Sequence, residues 1–187
     1  MLDEIKLDEL SLNILDIVLN SVKANASLVH ISVNISTIDN CLTIIIKDNG
    51  CGFDVDAYEN SINKRVCNDH RGRGIPLFKK SAEMTGGSFK MISTPGKGTE
   101  ITSSYVLDSP CRIPLGNINS TIEALFFCCI NTDFVYIYTV DDESFTLSTK
   151  DIKKIMGNIP VNNPDTAAFI KDYLKENTHI LNKNRIF

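Results

Sequence analysis

CLTIIIKDNGCG, residues 41–52, reads as a strand that runs straight into a tight turn. Leu42, Thr43, Ile44, Ile45 and Ile46 are apolar or β-branched with no break, the composition of a strand buried in a sheet. Asp48-Asn49-Gly50 then stops the strand, because Asp and Asn favour turns and Gly50 and Gly52 accept backbone positions that a β-carbon resists. An ordinary strand-end turn uses the same triplet. Here it leaves one carboxylate, Asp48, at the end of a sheet, beside glycines that let another group come close to the backbone.

Upstream, LVHISVNI (Leu28–Ile35) alternates as a strand should, and Asp39-Asn40 reads as the turn that pairs it with Cys41–Asp48. A helix is expected from about Asp8 to Ala24, with Leu10, Ile14, Ile17, Val18 and Val22 on one stripe and Asn25 as a left-handed stop. Asp16, Asn20 and Lys23 share another stripe, at i, i+4 and i+7. Glu9 and Asn13 continue it, as they would on a solvated face. Downstream, the chain turns polar between Phe53 and Arg73, with a short helix expected over Asp56–Asn63 and a charged, Gly-rich loop over Asn68–Gly74. A helix opens near Gly74, carries Leu77, Phe78, Ala82 and Met84, and ends at Gly86-Gly87. SFKMIS (Ser88–Ser93) and TEITSSYV (Thr99–Val106) make a second hairpin around PGKG. The order αββ–loop–αββ is that of an α+β fold, a two-layer α/β sandwich.

Residues 1–107 thus read as one domain and 108–116, with two prolines, as a linker. Residues 117–187 read as a small C-terminal α+β unit. It holds a helix over Ile118–Ile130, strands Phe134–Val140 and Ser144–Leu147 about Asp141-Asp142, and helices near Thr149–Met156 and Pro164–Glu176. Thr149 and Asn163-Pro164 supply the helix starts. So short a unit would be only marginally stable by itself and is expected to pack on the first domain.

Composition narrows the function classes. With 43% apolar and 22% charged residues in 187, a buried core is feasible and the composition argues against wholesale disorder. A net charge of −4 argues against nucleic-acid binding through a broad basic surface. No apolar run approaches the ~20 residues of a membrane span, and the acidic start MLDEIKLDEL lacks a signal-peptide core, so a cytoplasmic protein is expected, with no membrane partner. Six scattered cysteines form no CxxC pair, so zinc and redox chemistry find no support, and Cys128 and Cys129 are expected buried and reduced. The three histidines are isolated.

Four signatures stand in order: DIVLNSVKANA (Asp16–Ala26), DNGCG (Asp48–Gly52), RGRGIPL (Arg71–Leu77) and GKGTE (Gly96–Glu100). Together they resemble the GHKL superfamily of DNA gyrase B, the heat-shock chaperone ATPases, histidine kinases and MutL, over about residues 1–105. The resemblance implies the Bergerat ATP-binding fold, a mixed sheet with helices on one face, and ATP with Mg²⁺ as cofactors. It implies that Asn20 offers its amide oxygen to Mg²⁺, which takes oxygen ligands and keeps several waters, with Ala24 one of the small residues that follow. Asp16 aligns with the carboxylate that orients or deprotonates the attacking nucleophile. Many relatives have Glu there, so Asp16 reaches one methylene less. Asp48 would take the exocyclic amine of adenine and reject the oxygen of guanine, since a carboxylate only accepts hydrogen bonds. Gly50 and Gly52 would let the base approach, and Thr99 would support the adenine site.

RGRGIPL also speaks for itself: Gly72 and Gly74 free backbone N–H groups at a helix N-terminus, a ready anion site. With Ile75 they would form the phosphate side of the pocket, where Arg71 or Arg73 reaches the phosphates or simply points to solvent. Many relatives have Gly-x-Gly-Leu-Gly-Leu here. Pro76 in the first helical turn loses no hydrogen bond, and this variant is similar to small stand-alone members such as the anti-sigma-type kinases.

Only a few residues precede the first helix, so the acceptor hairpin of a sensor kinase is not expected, and the tail offers no assignable transducer lysine. The tail loosely resembles small histidine-kinase-like ATPases of anaerobic bacteria. Two readings stand. One is an ATP-binding regulatory protein, a stand-alone protein kinase of Ser/Thr or His type or a weak ATPase acting on an unidentified protein partner. The other is a nucleotide-dependent binding module with little turnover, its tail holding the partner. A homodimer is left open. Against a nucleotide-free scaffold stand the intact Asp16, Asn20, Asp48 and glycine set.

Overall fold

A computed structural model of the chain describes residues 9–64, 74–157 and 163–187, with the side chains of 61–64 left aside. Helix α1 (Leu10–Lys23) buries Leu10, Ile14, Ile17 and Val18. It ends as its sequence predicts: Asn25 takes a left-handed φ of 57° and turns the chain into the sheet. Strand β1 (Leu28–Ser36) buries Val29, Ile31, Val33 and Ile35, and strand β2 (Cys41–Asp48) buries Leu42, Ile44 and Ile46. They pair antiparallel from Ser36 with Cys41 at the turn to Val29 with Asp48 at the far end. That register brings Asp48 back beside the exit of α1.

Helix α2 (Val55–Lys64) and helix α3 (Gly74–Met84) follow, and then strands β3 (Ser88–Thr94) and β4 (Gly98–Val106) form the second hairpin. β4 lies antiparallel to β2, with Thr99 opposite Asp48. After helix α4 (Ile118–Cys128), strand β5 (Asp133–Val140) pairs parallel with β1 along its length, and strand β6 (Glu143–Ser148) closes on β5. Helices α5 (Thr149–Met156) and α6 (Pro164–Asn182) complete the chain.

The result is one mixed six-stranded sheet in the order β3-β4-β2-β1-β5-β6. Alternation along the strands buries one face. The other carries the exposed His30, Asn34, Lys47 and Lys90, where Lys47 pairs with Glu100 at 2.8 Å. The described residues of 117–187 share the sheet and the core of those of 9–107. Ile122, Leu125, Phe134, Tyr136, Ile170 and Leu174 belong to the same buried cluster as Ile14 and Ile44. Phe145 packs its ring within 6 Å of Tyr136, Tyr138 and Tyr173 (5.9, 5.8 and 5.9 Å), tying α6 to β5 and β6.

Several local expectations are corrected. α5 begins at Thr149 as expected, but its cap is Ser148, which accepts from the Asp151 N–H at 3.4 Å. Thr149 is buried and donates to Asp133 at 3.2 Å while accepting from the Phe134 N–H at 2.8 Å. α6 runs on to Asn182, six residues past Glu176, because its last turn is held by the Tyr138 hydroxyl on Asn182 at 2.9 Å. Cys129 is buried, but Cys128 faces solvent, since α4 ends there and the apolar run does not continue as helix. Asn13 does not sit on a solvated face: it is 1% exposed.

Candidate functional site

The site begins with Asp48, the last residue of β2. Its Oδ2 accepts from the Ser21 hydroxyl of α1 at 2.7 Å. Its Oδ1 accepts from the N–H of Gly50 at 2.8 Å and, more weakly, from the N–H of Thr99 at 3.3 Å. Helix, turn and strand therefore meet on one half-buried carboxylate. An ionised carboxylate offers about four lone-pair positions, so with three donors in place it can accept one more.

The turn behind it is stitched to both neighbours. Asn49 accepts from the N–H groups of Ser27 and Leu28, each at 2.9 Å, and donates to the Ser27 hydroxyl at 2.9 Å. The Cys51 N–H bonds to the Ala24 carbonyl at 2.9 Å, and the Gly96 N–H bonds to the Cys51 carbonyl at 2.7 Å. Two glycines are needed here. Gly52 (φ 57°) and Gly98 (φ 91°) lie in the left-handed region, and a β-carbon would strike the Thr94 carbonyl in the first case and the Asp48 carbonyl in the second. Gly98 thus fits the GKGTE hairpin against the backbone of Asp48 itself. At Gly50 a β-carbon would come within 3.0 Å of the Ala24 side chain.

These contacts leave a cavity of about 380 Å³, within the range of small-molecule sites. From α1 it is lined by Ile17, Asn20, Ser21 and Ala24; from the sheet by Ile46, Asp48, Thr99 and Ile101; and from the loops and short helices by Cys51, Gly52, Phe53, Tyr58 and Ile75. Apolar walls with a few converging polar groups suit a flat, mostly apolar ligand read along one polar edge.

Of the residues singled out from the sequence, Asn20, Ala24, Asp48, Gly52, Ile75 and Thr99 line the cavity, and Gly50 does not line it but packs beside Ala24 and Asp48, which do. Asp16 does not line it. It lies one turn earlier on α1, half-buried, with its carboxylate so close to Gly74 that any side chain there would collide with it. A carboxylate at the start of α3 is favoured by the helix dipole. Arg71, Gly72 and Arg73 lie outside the described residues.

Four contributors carried little signal in the sequence. Ser21 looks like a small polar residue next to Asn20, yet it is 5% exposed and holds Asp48. Ser93 accepts from the Phe53 N–H at 2.9 Å, donates to the Gly98 carbonyl at 3.1 Å and meets the Thr99 hydroxyl at 2.9 Å. Phe53 and Tyr58 sit in a polar stretch, and only the fold turns them inward. Among the described residues no cluster of three His, Cys, Asp or Glu side chains could hold a metal. No helix of the described chain is long and apolar enough to cross a membrane.

The chain is 34% identical over 93 residues to an uncharacterized sensor-like histidine kinase of Chloroflexus aurantiacus, a match that spans 49% of this chain and 15% of that protein. The N-terminal domain of a DNA repair protein superposes on 82% of this chain and 58% of its own, at TM-score 0.55 and 16% identity, which shows a shared fold. The Aquifex aeolicus MutL ATPase domain, complexed with ADP, aligns over 78% of this chain and 68% of its own at TM-score 0.46 and 15% identity. Residues 4–109 match the family described as histidine kinase-, DNA gyrase B-, and HSP90-like ATPase, and on that match the chain belongs to this family of ATP-binding domains.

Proposed function

We propose that the cavity binds Mg-ATP and that the protein is a regulatory one, passing the γ-phosphate slowly to a protein partner or to water. The observation that carries this reading is the Asp48 carboxylate, fixed by Ser21, Gly50 and Thr99 in the wall of a largely apolar cavity with one acceptor position to spare. An adenine amine satisfies that position. The carbonyl oxygen of guanine would bring a lone pair against a lone pair. Thr99, whose hydroxyl is held by Ser93, offers a second polar contact beside it.

Asn20 lines the cavity further along α1, and its amide oxygen is a suitable hard ligand for Mg²⁺ held chiefly by phosphates and water. When bound, the ion would draw charge from the phosphates. The start of α3, with Gly74 and Ile75, faces the same end and suits the anionic groups. Gly72 with Arg71 or Arg73 would extend that side.

Asp16 would orient or deprotonate the nucleophile. One observation favours low turnover over an efficient enzyme: the Asp16 carboxylate packs on Gly74 outside the cavity lining, and Asp is a short side chain. In this second reading, nucleotide occupancy changes the surface around α3, and a protein partner reads the change without rapid chemistry. Titration calorimetry with ATP, ADP and GTP, with and without Mg²⁺, tests the pocket. ATP binding that strengthens with Mg²⁺ and excludes GTP is expected; absence of binding at millimolar nucleotide would overturn the proposal.

A further inference from the structure

The chain leaves Gly52 through a left-handed turn, and the Phe53 N–H is anchored on Ser93 at 2.9 Å. Asp54 then starts α2: its carboxylate accepts from the Ala57 N–H at 2.9 Å, and its carbonyl accepts from the Tyr58 N–H at 3.0 Å. Tyr58 is thereby fixed one turn inside a capped helix. Its ring lies 5.0 Å from that of Phe53 with the planes at 46°, within the range of a stabilising aromatic pair. Both rings line the cavity, and every other large apolar residue lining it is an isoleucine. Among the described residues, these two rings are the π faces that line the cavity.

From this arrangement we infer that Tyr58, braced by Phe53, is the stacking residue for the purine ring. Asp48 reads the polar edge of the base and Tyr58 holds its plane. The inference rests on the nucleotide reading above and adds a residue from α2, an element that none of the four sequence signatures includes. Its physical basis is that an aromatic face held in advance by a helix cap gives up little conformational freedom when a base packs on it. A base-stacking role acts on the base alone, so it is indifferent to the number of phosphates.

The test compares ATP, ADP and adenosine by calorimetry on the wild type, Tyr58→Phe and Tyr58→Ala, with circular dichroism as a check on folding. Proton NMR transfer of magnetisation from the adenine H2 and H8 to the Tyr58 ring is measured on the wild type. Tyr58→Ala is expected to weaken all three ligands by a similar factor, roughly ten-fold or more, with Tyr58→Phe close to wild type and a direct ring-to-base signal. Unchanged affinities in Tyr58→Ala, a loss confined to ATP, or no ring-to-base transfer in the ATP-bound wild type would each overturn the stacking role and leave the pocket standing. A wild type that binds none of the three would bring down the pocket reading itself. The NMR measurement needs no variant, so a misfolded Tyr58→Ala does not remove the test.

Discussion

Asp48 accepts from three donors that reach it from α1, from its own turn and from β4. Replacing it by Asn turns one acceptor oxygen into a donor facing donors. A hydrogen bond to a charged group is worth ~1.5–3 kcal/mol, so Asp48→Asn should weaken ATP by about 10–150-fold in calorimetry; unchanged affinity would remove the base from this end of the cavity. Ser21→Ala frees one carboxylate oxygen and should weaken ATP by roughly ten-fold while the fold survives. Gly98→Ala is a different kind of lesion, since the backbone is left-handed and the added carbon meets the Asp48 carbonyl. It should cost ~2 kcal/mol or more of stability in denaturant melts. At this scale the sequence was legible where chemistry is local. Asp48 announces itself by ending an apolar strand in Asp-Asn-Gly. Ser21 and Ser93 do not, because their value lies in partners distant in the chain, Asp48 in the first case and Phe53 in the second.

α1 was legible as an amphipathic helix, but not which parts of its polar stripe are solvated. Asn13 is buried, Asn20 faces the cavity, and Asp16 faces Gly74 of α3. The i, i+4 spacing marks one side of a helix; only packing against α3 and α4 decides what that side meets. Asp16→Asn should spare nucleotide affinity and lower any phosphate release or transfer by ~10²–10⁴-fold, the usual loss of a positioned base, as read by a phosphate-release assay. At the opposite edge, α5 is fastened to β5 through Asp133. Burial pushes the Asp133 pKa up, but the Lys153 ammonium at 2.8 Å, the Thr149 hydroxyl and Lys150 outweigh it and hold the pKa below the ordinary carboxylate range. A lowered folded-state pKa stabilises the fold above the unfolded value of ~3.9, and that contribution is lost as pH falls through the folded value. Thermal melts should therefore show Asp133→Asn less stable than wild type at pH 7, with the gap closing in acid.

The element order of the molecule was legible nearly throughout; the pairing of its last strands was not. β5 lies parallel to β1, and Thr132 bonds to the Ala26 carbonyl 106 positions away. Nothing local in either strand encodes that choice. The alternating β1 fits a sheet buried on one face, and helix α4, between β4 and β5, carries the chain across to pair β5 on the free side of β1. Ending the chain after residue 107 should leave β1 as an open edge and expose the core under α4. Loss of a cooperative melt is expected, and a soluble, cooperatively melting fragment would show that the first part folds alone. The joint at Ala26–Leu28 has a consequence for the order of events at the ribosome. Asn49 clasps Ser27 and Leu28 from one side, while Thr132 and the Asp133 N–H take the carbonyls of Ala26 and Ser27 from the other. At about 5–20 residues per second, the 106 positions between Ala26 and Thr132 take roughly 5–20 s to synthesise. Throughout that interval the nascent β1 has no β5 to pair with, so this joint of the sheet closes only after β5 has been translated.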